Sequence, residues 1–147
     1  MKNVAEILRS KPDQTVYRVA PDASVYYALR LMADKNIGAL LVEEEGKIVG
    51  ILSERDYARK VVLMDRSSKQ TAVRDIMTSS VMVARPDQTN EECMALMTDN
   101  RLRHLPVIDN GKLLGLISIG DLVKDIISEQ QFTIEQLQHY IQGDRRA

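Results

Sequence analysis

Apolar residues in this chain are spaced in two ways, one typical of amphipathic helices and the other of buried strands. Residues 25–32 carry apolar side chains at the i, i+3, i+4 and i+7 positions of one helix face. Two nearly continuous apolar runs follow, Ala39–Val42 and Ile48–Leu52, and such runs are typical of strands buried on both faces. Glu45 and Gly46 lie between the runs, where a tight hairpin turn is predicted.

The same pattern returns later in the chain. A shift of 65 positions aligns residues 21–60 with residues 86–125 without a gap, and 12 of the 40 aligned positions are identical. Ordinary composition would give roughly two or three identities by chance. Asn110-Gly111 aligns with Glu45-Gly46 and is the dipeptide that type I′ hairpins prefer. The alignment indicates a duplicated unit.

Each unit is predicted to have the order β-α-β-β-α. A few β-prone residues, Val16–Val19 or Val81–Ala84, precede a Pro-Asp step. The first main helix then begins near Ser24 or Thr89, and a second helix follows the last strand. A short helical lead-in precedes each unit, but the two lead-ins align only at a shift of 69, so repeat one has four extra residues. The lead-ins are Val4–Leu8 and Val73–Met77.

Two segments lie outside the repeat. Arg66–Thr71 is a polar connector, and residues 129–142 are predicted to form a separate amphipathic helix that packs on the body or on a second copy. Thr133 with Gln136 fits a capping box near its start, and Gly143 stands where the helix is expected to end. Its apolar residues are Phe132, Ile134, Leu137 and Ile141. The predicted domains are residues 4–66, 71–128 and 129–147.

Composition narrows the class of protein. The chain has 147 residues with 20 Lys+Arg against 21 Asp+Glu, a balance that argues against nucleic acid as a partner. The single cysteine, Cys93, excludes an internal disulfide, aligns with Ala28 and is expected in the core. The first eleven residues lack the apolar core of a signal peptide, and no apolar run approaches the roughly 18 residues that span a membrane. We expect a soluble, cytoplasmic protein.

One motif in each repeat carries candidate chemistry. Gly50–Asp56 and Gly115–Asp121 both lead from an apolar strand through Ser-x-x-Asp into a helix. The serine and aspartate could act only as a helix cap, with the acid complementing the helix dipole. Alternatively, free amides at the helix start could bind phosphate while the carboxylate accepts both hydroxyls of a ribose. The sequence leaves both interpretations open.

The repeated Gly-h-h-Ser-x-x-Asp pattern (h being apolar) resembles a tandem pair of cystathionine-β-synthase (CBS) domains, also called a Bateman module. The resemblance extends from about Val4 to Ile127. It implies an α/β fold in which two β-α-β-β-α repeats pack with pseudo-two-fold symmetry, here followed by the C-terminal amphipathic helix. It further implies two clefts for adenosine-containing ligands such as AMP, ATP, NAD(H) or S-adenosylmethionine, and association into a homodimer.

The resemblance also implies which residues line the clefts. Asp56 and Asp121 would hold the ribose, with Ser53 and Ser118 near the ribose or the phosphates. Two further groups of residues would frame the base. The first cleft would use Tyr17, Gly38 and Ala39, and the second Thr78, Met82, Arg103 and His104.

The two clefts are predicted to differ in charge. Three side chains before the second strand of repeat two could meet phosphates, or could form a solvated basic turn. They are Arg101, Arg103 and His104. Repeat one has the uncharged segment Asn36–Ala39 there, and its cationic candidate is Arg55, where repeat two has Gly120. We therefore expect the two clefts to prefer different nucleotides.

No catalytic set is visible in the sequence. It has neither a nucleophile–base–acid constellation nor a Gly-rich phosphate loop followed by Lys and Ser or Thr. We therefore expect a non-catalytic regulatory module that acts through an effector protein. The alternative is an oligomerisation or scaffold module in which both Ser-x-x-Asp motifs are only caps.

Overall fold

A computed structural model describes residues 2–146, and for residues 142–146 the helical backbone alone. In chain order the helices are α1 (Val4–Arg9), α2 (Val25–Lys35), α3 (Glu54–Tyr57), α4 (Asn90–Asn100) and α5 (Ile119–Arg146). The strands are β1 (Arg18–Val19), β2 (Ala39–Glu44), β3 (Lys47–Ser53), β4 (His104–Asp109) and β5 (Lys112–Ser118). A π-helical turn at Ala58–Val62 continues α3, and a 3₁₀ turn covers Val73–Asp75. The mixed α/β fold with two small sheets is confirmed.

The first-repeat unit is Thr15–Met82. Its sheet has the order β1-β2-β3, with β1 parallel and β3 antiparallel to β2. Positive φ angles of +52° at Glu45 and +78° at Gly46 form the predicted type I′ turn. The apolar face of α2 packs on the sheet, and β2 is buried from Ala39 to Val42. The amphipathic helix and the fully buried strand β2 are therefore confirmed here, whereas the apolar run of β3, Ile48–Leu52, is buried only at Gly50 and Leu52 and is otherwise half-buried.

The second-repeat unit joins the chain up to Gln14 with the chain from Val83 onward. β4 and β5 form an antiparallel hairpin whose Asn110-Gly111 turn has φ angles of +50° and +80°. Ala84 takes the place of a first strand through a parallel bridge to Val107. Cys93 is fully buried in this core, as predicted.

The lead-in segments do not stay with the repeats that follow them in sequence. Helix α1 inserts Val4 and Ile7 into the core of the second-repeat unit. The corresponding lead-in of repeat two packs in the first-repeat unit, where Thr78 exchanges backbone hydrogen bonds of 2.9 and 3.0 Å with Ile51. Each unit therefore contains the lead-in of the other repeat.

The prediction of a separate helix over residues 129–142 is wrong. Helix α5 runs without interruption from Ile119 to Arg146. Thr133 is therefore a residue of the helix interior, and Gly143 does not end the helix. Glycine costs only about 1 kcal/mol in a helix interior and is a weaker stop signal than proline, and no proline follows Pro106.

Candidate functional site

The Ser-x-x-Asp motif of repeat one forms a complete capping box at the end of β3. The Ser53 amide donates to Asp56 Oδ2 at 3.0 Å, and the Asp56 amide donates to Ser53 Oγ at 3.3 Å. The Ser53 hydroxyl also donates to Asp56 Oδ2 at 3.1 Å. These bonds hold the carboxylate at the start of α3 in one orientation.

Repeat two places its motif in the same way. The Ser118 amide donates to Asp121 Oδ2 at 2.8 Å, and the Asp121 amide donates to Ser118 Oγ at 3.2 Å. Here the motif opens the long helix α5, whereas α3 has only four residues before its π-helical turn. The helix-dipole attraction for an anion is therefore better developed at Ser118 than at Ser53.

The preceding strand brings two further predicted residues to each motif. In the antiparallel register Ala39 lies opposite Ser53 and His104 lies opposite Ser118. The carbonyl of Gly38 accepts from the Glu54 amide at 3.1 Å, and that of Arg103 accepts from the Ile119 amide at 2.9 Å. Residues 38–39 and 103–104 thus adjoin the Ser-x-x-Asp motif of their own unit.

Two side chains contact Asp56, and one of them, Lys60, was not singled out from the sequence. Lys60 Nζ lies 3.3 Å from Asp56 Oδ1 and donates to the Ile76 carbonyl at 2.9 Å. Thr78 Oγ1 donates to Asp56 Oδ1 at 3.4 Å. The Asp56 side chain is 13% exposed. Lys60 stands four residues after Asp56, a spacing that favours an ion pair on a helix and that could have identified it.

Thr78 therefore corrects the expected grouping of the site residues. The family resemblance implies that Thr78 and Met82 share a cleft with Arg103 and His104, but both belong to the first-repeat unit. Exchange of the lead-ins is the physical reason, because the pairing of Thr78 with Ile51 carries its hydroxyl to Asp56. Met82 is partly exposed at the end of this unit.

Asp121 is paired with a lysine from a distant part of the chain. Lys11 Nζ lies 3.0 Å from Asp121 Oδ2 and donates to the Leu116 carbonyl at 2.9 Å. The Asp121 side chain is 17% exposed. Lys11 lies just after α1, in the four-residue insertion of repeat one, and no local pattern pointed to it. In each motif the aspartate that caps the helix therefore also forms an ion pair with a lysine.

The remaining candidates lie around these two centres. Tyr17 packs against the first-repeat core, with Lys35 Nζ 5.5 Å from its ring centre. Arg55 is half-buried in the first turn of α3, and Gly120 is exposed in the first turn of α5. A Cβ at position 120 would have Ser118 Oγ at 3.6 Å. Repeat two therefore has space at the position where repeat one carries the Arg55 side chain.

The basic segment of repeat two contains both exposed and sheltered groups. Arg101 ends α4 in a left-handed conformation and, like Arg103, has an exposed side chain. His104 is half-buried, and its burial lowers the pKa of the imidazole, with Lys11 and Arg103 adding to the effect and Asp121 opposing it. Near neutral pH the cationic candidates of this segment are the two arginines.

The motif glycines have a structural explanation. A Cβ on Gly50 would stand 2.6 Å from Met77 Sδ and 3.0 Å from the Thr78 carbonyl. A Cβ on Gly115 would stand 3.0 Å from Leu8 Cδ2. In each unit the close approach at this glycine is made by the lead-in segment.

Among residues 2–141, whose side chains the structure describes, no three His, Cys, Asp or Glu side chains come together as metal ligands. None of the helices described is both long and apolar enough to cross a bilayer.

The chain is similar in sequence to known proteins. The sequence profile described as CBS domain matches residues 4–63 and again residues 73–128. The Arabidopsis thaliana protein CBSX3, described as a mitochondrial CBS domain-containing protein, is 38% identical over 148 residues, covering 95% of this chain and 72% of that protein.

Solved structures agree with the fold. A protein with CBS domains from Burkholderia ambifaria MC40-6 is 60% identical with a TM-score of 0.86, covering 90% of this chain and 99% of that one. A CBS domain pair in complex with 5′-methylthioadenosine and S-adenosyl-L-methionine has a TM-score of 0.75 at 24% identity, covering 88% and 98% of the two chains. The second likeness concerns the fold alone.

Proposed function

This chain belongs to the CBS-domain family, and we propose that it is a non-catalytic regulatory module that binds adenosine-containing ligands at its two Ser-x-x-Asp motifs. The observation that carries the proposal is the shared Asp–Lys arrangement. In each repeat the aspartate of the motif is paired with a lysine ammonium, Asp56 with Lys60 and Asp121 with Lys11. The two lysines come from unrelated segments, yet they pair with equivalent, partly exposed carboxylates. Capping alone requires the serine and the aspartate but no lysine.

The arrangement suits a nucleoside that carries an anionic group. An ionised carboxylate accepts hydrogen bonds from both ribose hydroxyls, and such charge-assisted bonds are stronger than neutral ones. A lysine displaced from that carboxylate keeps its charge close by, where a phosphate would meet it. The ligand would therefore exchange with an internal ion pair.

The two sites are proposed to prefer different ligands. Asp121 lies at the start of a 28-residue helix, and the segment that leads into the strand paired with its motif carries the exposed Arg101 and Arg103. This combination favours a ligand with several phosphates, such as ATP or NAD(H). Asp56 has the half-buried Arg55 and the Thr78 hydroxyl instead, which suits AMP or S-adenosylmethionine.

The test is ligand binding to the full chain after removal of copurified nucleotide, verified by absorbance of the denatured supernatant. AMP, ATP, NAD(H) and S-adenosylmethionine are compared by thermal shift and calorimetry. We expect at least one to bind with a Kd between roughly 1 mM and 1 μM. A ligand at 100 times its Kd raises the unfolding free energy by about 2.7 kcal/mol. Absence of any response would contradict the proposal.

A scaffold module is the second candidate, and the completed capping boxes favour it. Both aspartates accept the amide hydrogen bond that a cap requires. A scaffold would bind none of the four ligands, and its aspartates would contribute to unfolding stability alone.

The proposal also covers the oligomeric state of the chain, its effector protein and its location in the cell. We propose a homodimer that reports ligand binding to an effector protein and works in the cytoplasm, without nucleic acid or membrane as partners. The Arabidopsis relative is described as mitochondrial, so fractionation of host cells tests the location directly. Sedimentation equilibrium tests the dimer.

A further inference from the structure

Helix α5 presents different faces to its own unit and to its surroundings. Leu122 is fully buried in the second-repeat core, and Asp125 is buried against α4. Near its start, one face of α5 therefore packs against its own unit. From residue 130 to residue 141 the side chains of α5 are exposed.

A second face of α5 carries a heptad repeat. Six residues follow one another at alternating steps of four and three. They are Val123, Ile127, Gln130, Ile134, Leu137 and Ile141. The five apolar members are 40% to 57% exposed. At about 100° per residue this stripe, which we term the α5 seam, lies roughly 100° around the helix from Leu122 and about 160° from Asp125. Gln130 and Ile134 border a pocket with Asn90 and Glu91 of α4, and the opposite edge of the seam is turned away from the body of its own unit.

The seam differs from the apolar set expected from the sequence. That set includes Phe132, which is 63% exposed. By the same helical steps Phe132 lies about 180° from the seam. Ile134, Leu137 and Ile141 thus share one face, and Phe132 stands on the opposite one.

We propose that the α5 seam joins two copies of this chain as a parallel, two-stranded coiled coil. In heptad terms Ile127, Ile134 and Ile141 occupy the a positions, and Val123, Gln130 and Leu137 occupy the d positions. Isoleucine fills all three a positions and leucine one of the three d positions, and isoleucine at a with leucine at d favours two parallel strands over higher oligomers. The inference deepens the homodimer of the proposed function by naming its surface.

The charge distribution around the seam fits a second copy. Six residues flank the seam at e and g positions. They are Lys124, Ile126, Gln131, Thr133, Gln138 and Tyr140. Only Lys124 is charged, so two parallel copies bring no like charges together along the seam. The acidic residues Glu129 and Glu135 stand at c and b positions, away from the partner.

The length of the seam sets the expected affinity. Val123 to Ile141 spans about 27 Å, roughly five helical turns. Stable interfaces bury roughly 800 Å² per partner. A seam of this length and one helix wide would bury about that area or less. Because α5 is anchored on its unit through Leu122, less helix has to be ordered on association than in free peptides. We expect a micromolar dimer.

The first experiment compares Leu137→Asp with Phe132→Asp in the full chain by sedimentation equilibrium over a wide concentration range. Both residues are exposed in one copy, so thermal unfolding at low concentration should be nearly unchanged in both variants. We expect wild type and Phe132→Asp to dimerise alike and Leu137→Asp to stay monomeric. A wild-type monomer would overturn the dimer itself. Dimers in all three chains would overturn only the seam.

A gain-of-function variant and a cross-link complete the test. Gln130→Leu removes the polar residue from the seam and should tighten the dimer roughly tenfold. Leu137→Cys, in a Cys93→Ala background, should form a disulfide between copies on oxidation because equivalent d positions face each other in a parallel coil. Gln136→Cys in the same background is the control and should not cross-link. Cross-linking at position 136 but not at 137 would overturn the parallel seam. These experiments do not depend on ligand binding, which is measured separately. They therefore test the seam even if the chain binds none of the proposed ligands.

Discussion

Lys11 Nζ lies 3.0 Å from Asp121 Oδ2, although the two residues belong to opposite ends of the chain. The same ammonium donates to the Leu116 carbonyl, which fixes it above the end of β5. A ligand that uses Asp121 as a hydrogen-bond acceptor must therefore displace or share this lysine. The N-terminal segment and the second motif are linked through one ion pair.

Lys11→Met should change the affinity for two ligands in opposite directions. Without the lysine, Asp121 is freer to accept ribose hydroxyls, so adenosine should bind more tightly. ATP should bind more weakly, because a cation near its phosphates is lost. We expect changes of about 1 kcal/mol, roughly fivefold, measured by calorimetry. Lys112→Met, at the exposed first residue of β5 in the same unit, is the control. Equal changes for both ligands would contradict the exchange of partners.

Asp121→Asn should separate ligand binding from helix capping. Asparagine keeps an oxygen for the Ser118 amide but removes the charge, so the ligand-free unfolding free energy should change by less than about 1 kcal/mol. Ligand affinity should fall by about 1.5–3 kcal/mol, the worth of a hydrogen bond to a charged group. Calorimetry and chemical denaturation measure the two quantities. Loss of stability with unchanged affinity would favour the scaffold. Asp56→Asn is the matched variant for repeat one.

Asn90→Val should destabilise the second-repeat unit, although valine is the residue at the aligned position 25 of repeat one. Asn90 Nδ2 donates to the Leu122 carbonyl at 2.9 Å and to Asp125 Oδ2 at 3.0 Å. Removing this donor leaves a buried carboxylate with Lys2 Nζ 3.8 Å away. We expect a loss of about 1–3 kcal/mol in chemical denaturation.

The double variant Asn90→Val/Asp125→Leu is the control for that interpretation. Replacing both polar partners by apolar side chains removes the unsatisfied carboxylate and should recover much of the lost stability. If the double variant is less stable than Asn90→Val alone, the carboxylate has a stabilising role apart from Asn90.

His104 should make unfolding stability pH-dependent. Burial lowers the pKa of His104 below its ordinary value of 6.5, so the unfolded chain takes up the proton first as the pH falls. The stability from the neutral imidazole is fully present above pH 6.5 and is lost progressively below it. His104→Ala should lose less stability than wild type in this window. His139→Ala, at an exposed helix position, should behave like wild type. Parallel pH profiles for all three chains would contradict the assignment.

Local chemistry explains what the sequence alone determined. The type I′ turns at Glu45-Gly46 and Asn110-Gly111, the caps at Ser53 and Ser118, and the buried strands all follow from residues within a few positions of one another. Their spacing sets backbone dihedrals and near-neighbour hydrogen bonds, which tertiary packing preserves here. The duplicated unit and its candidate aspartates are therefore readable from the printed sequence.

Only the tertiary structure decided which distant segments meet. Lys11 and Leu116 are 105 positions apart, and no local pattern encodes their contact. The exchange of lead-ins brings Thr78 to Asp56 and Lys11 to Asp121, because apolar lead-in residues bury against the strand that leaves room at Gly50 or Gly115. Similarly, α5 is held on the core at its start through Leu122 and continues past Thr133 and Gly143, where local signals predicted a boundary. Once its first turns are formed, each further residue adds a helical hydrogen bond at little cost, and a glycine or a capping sequence is too weak a signal to end the helix.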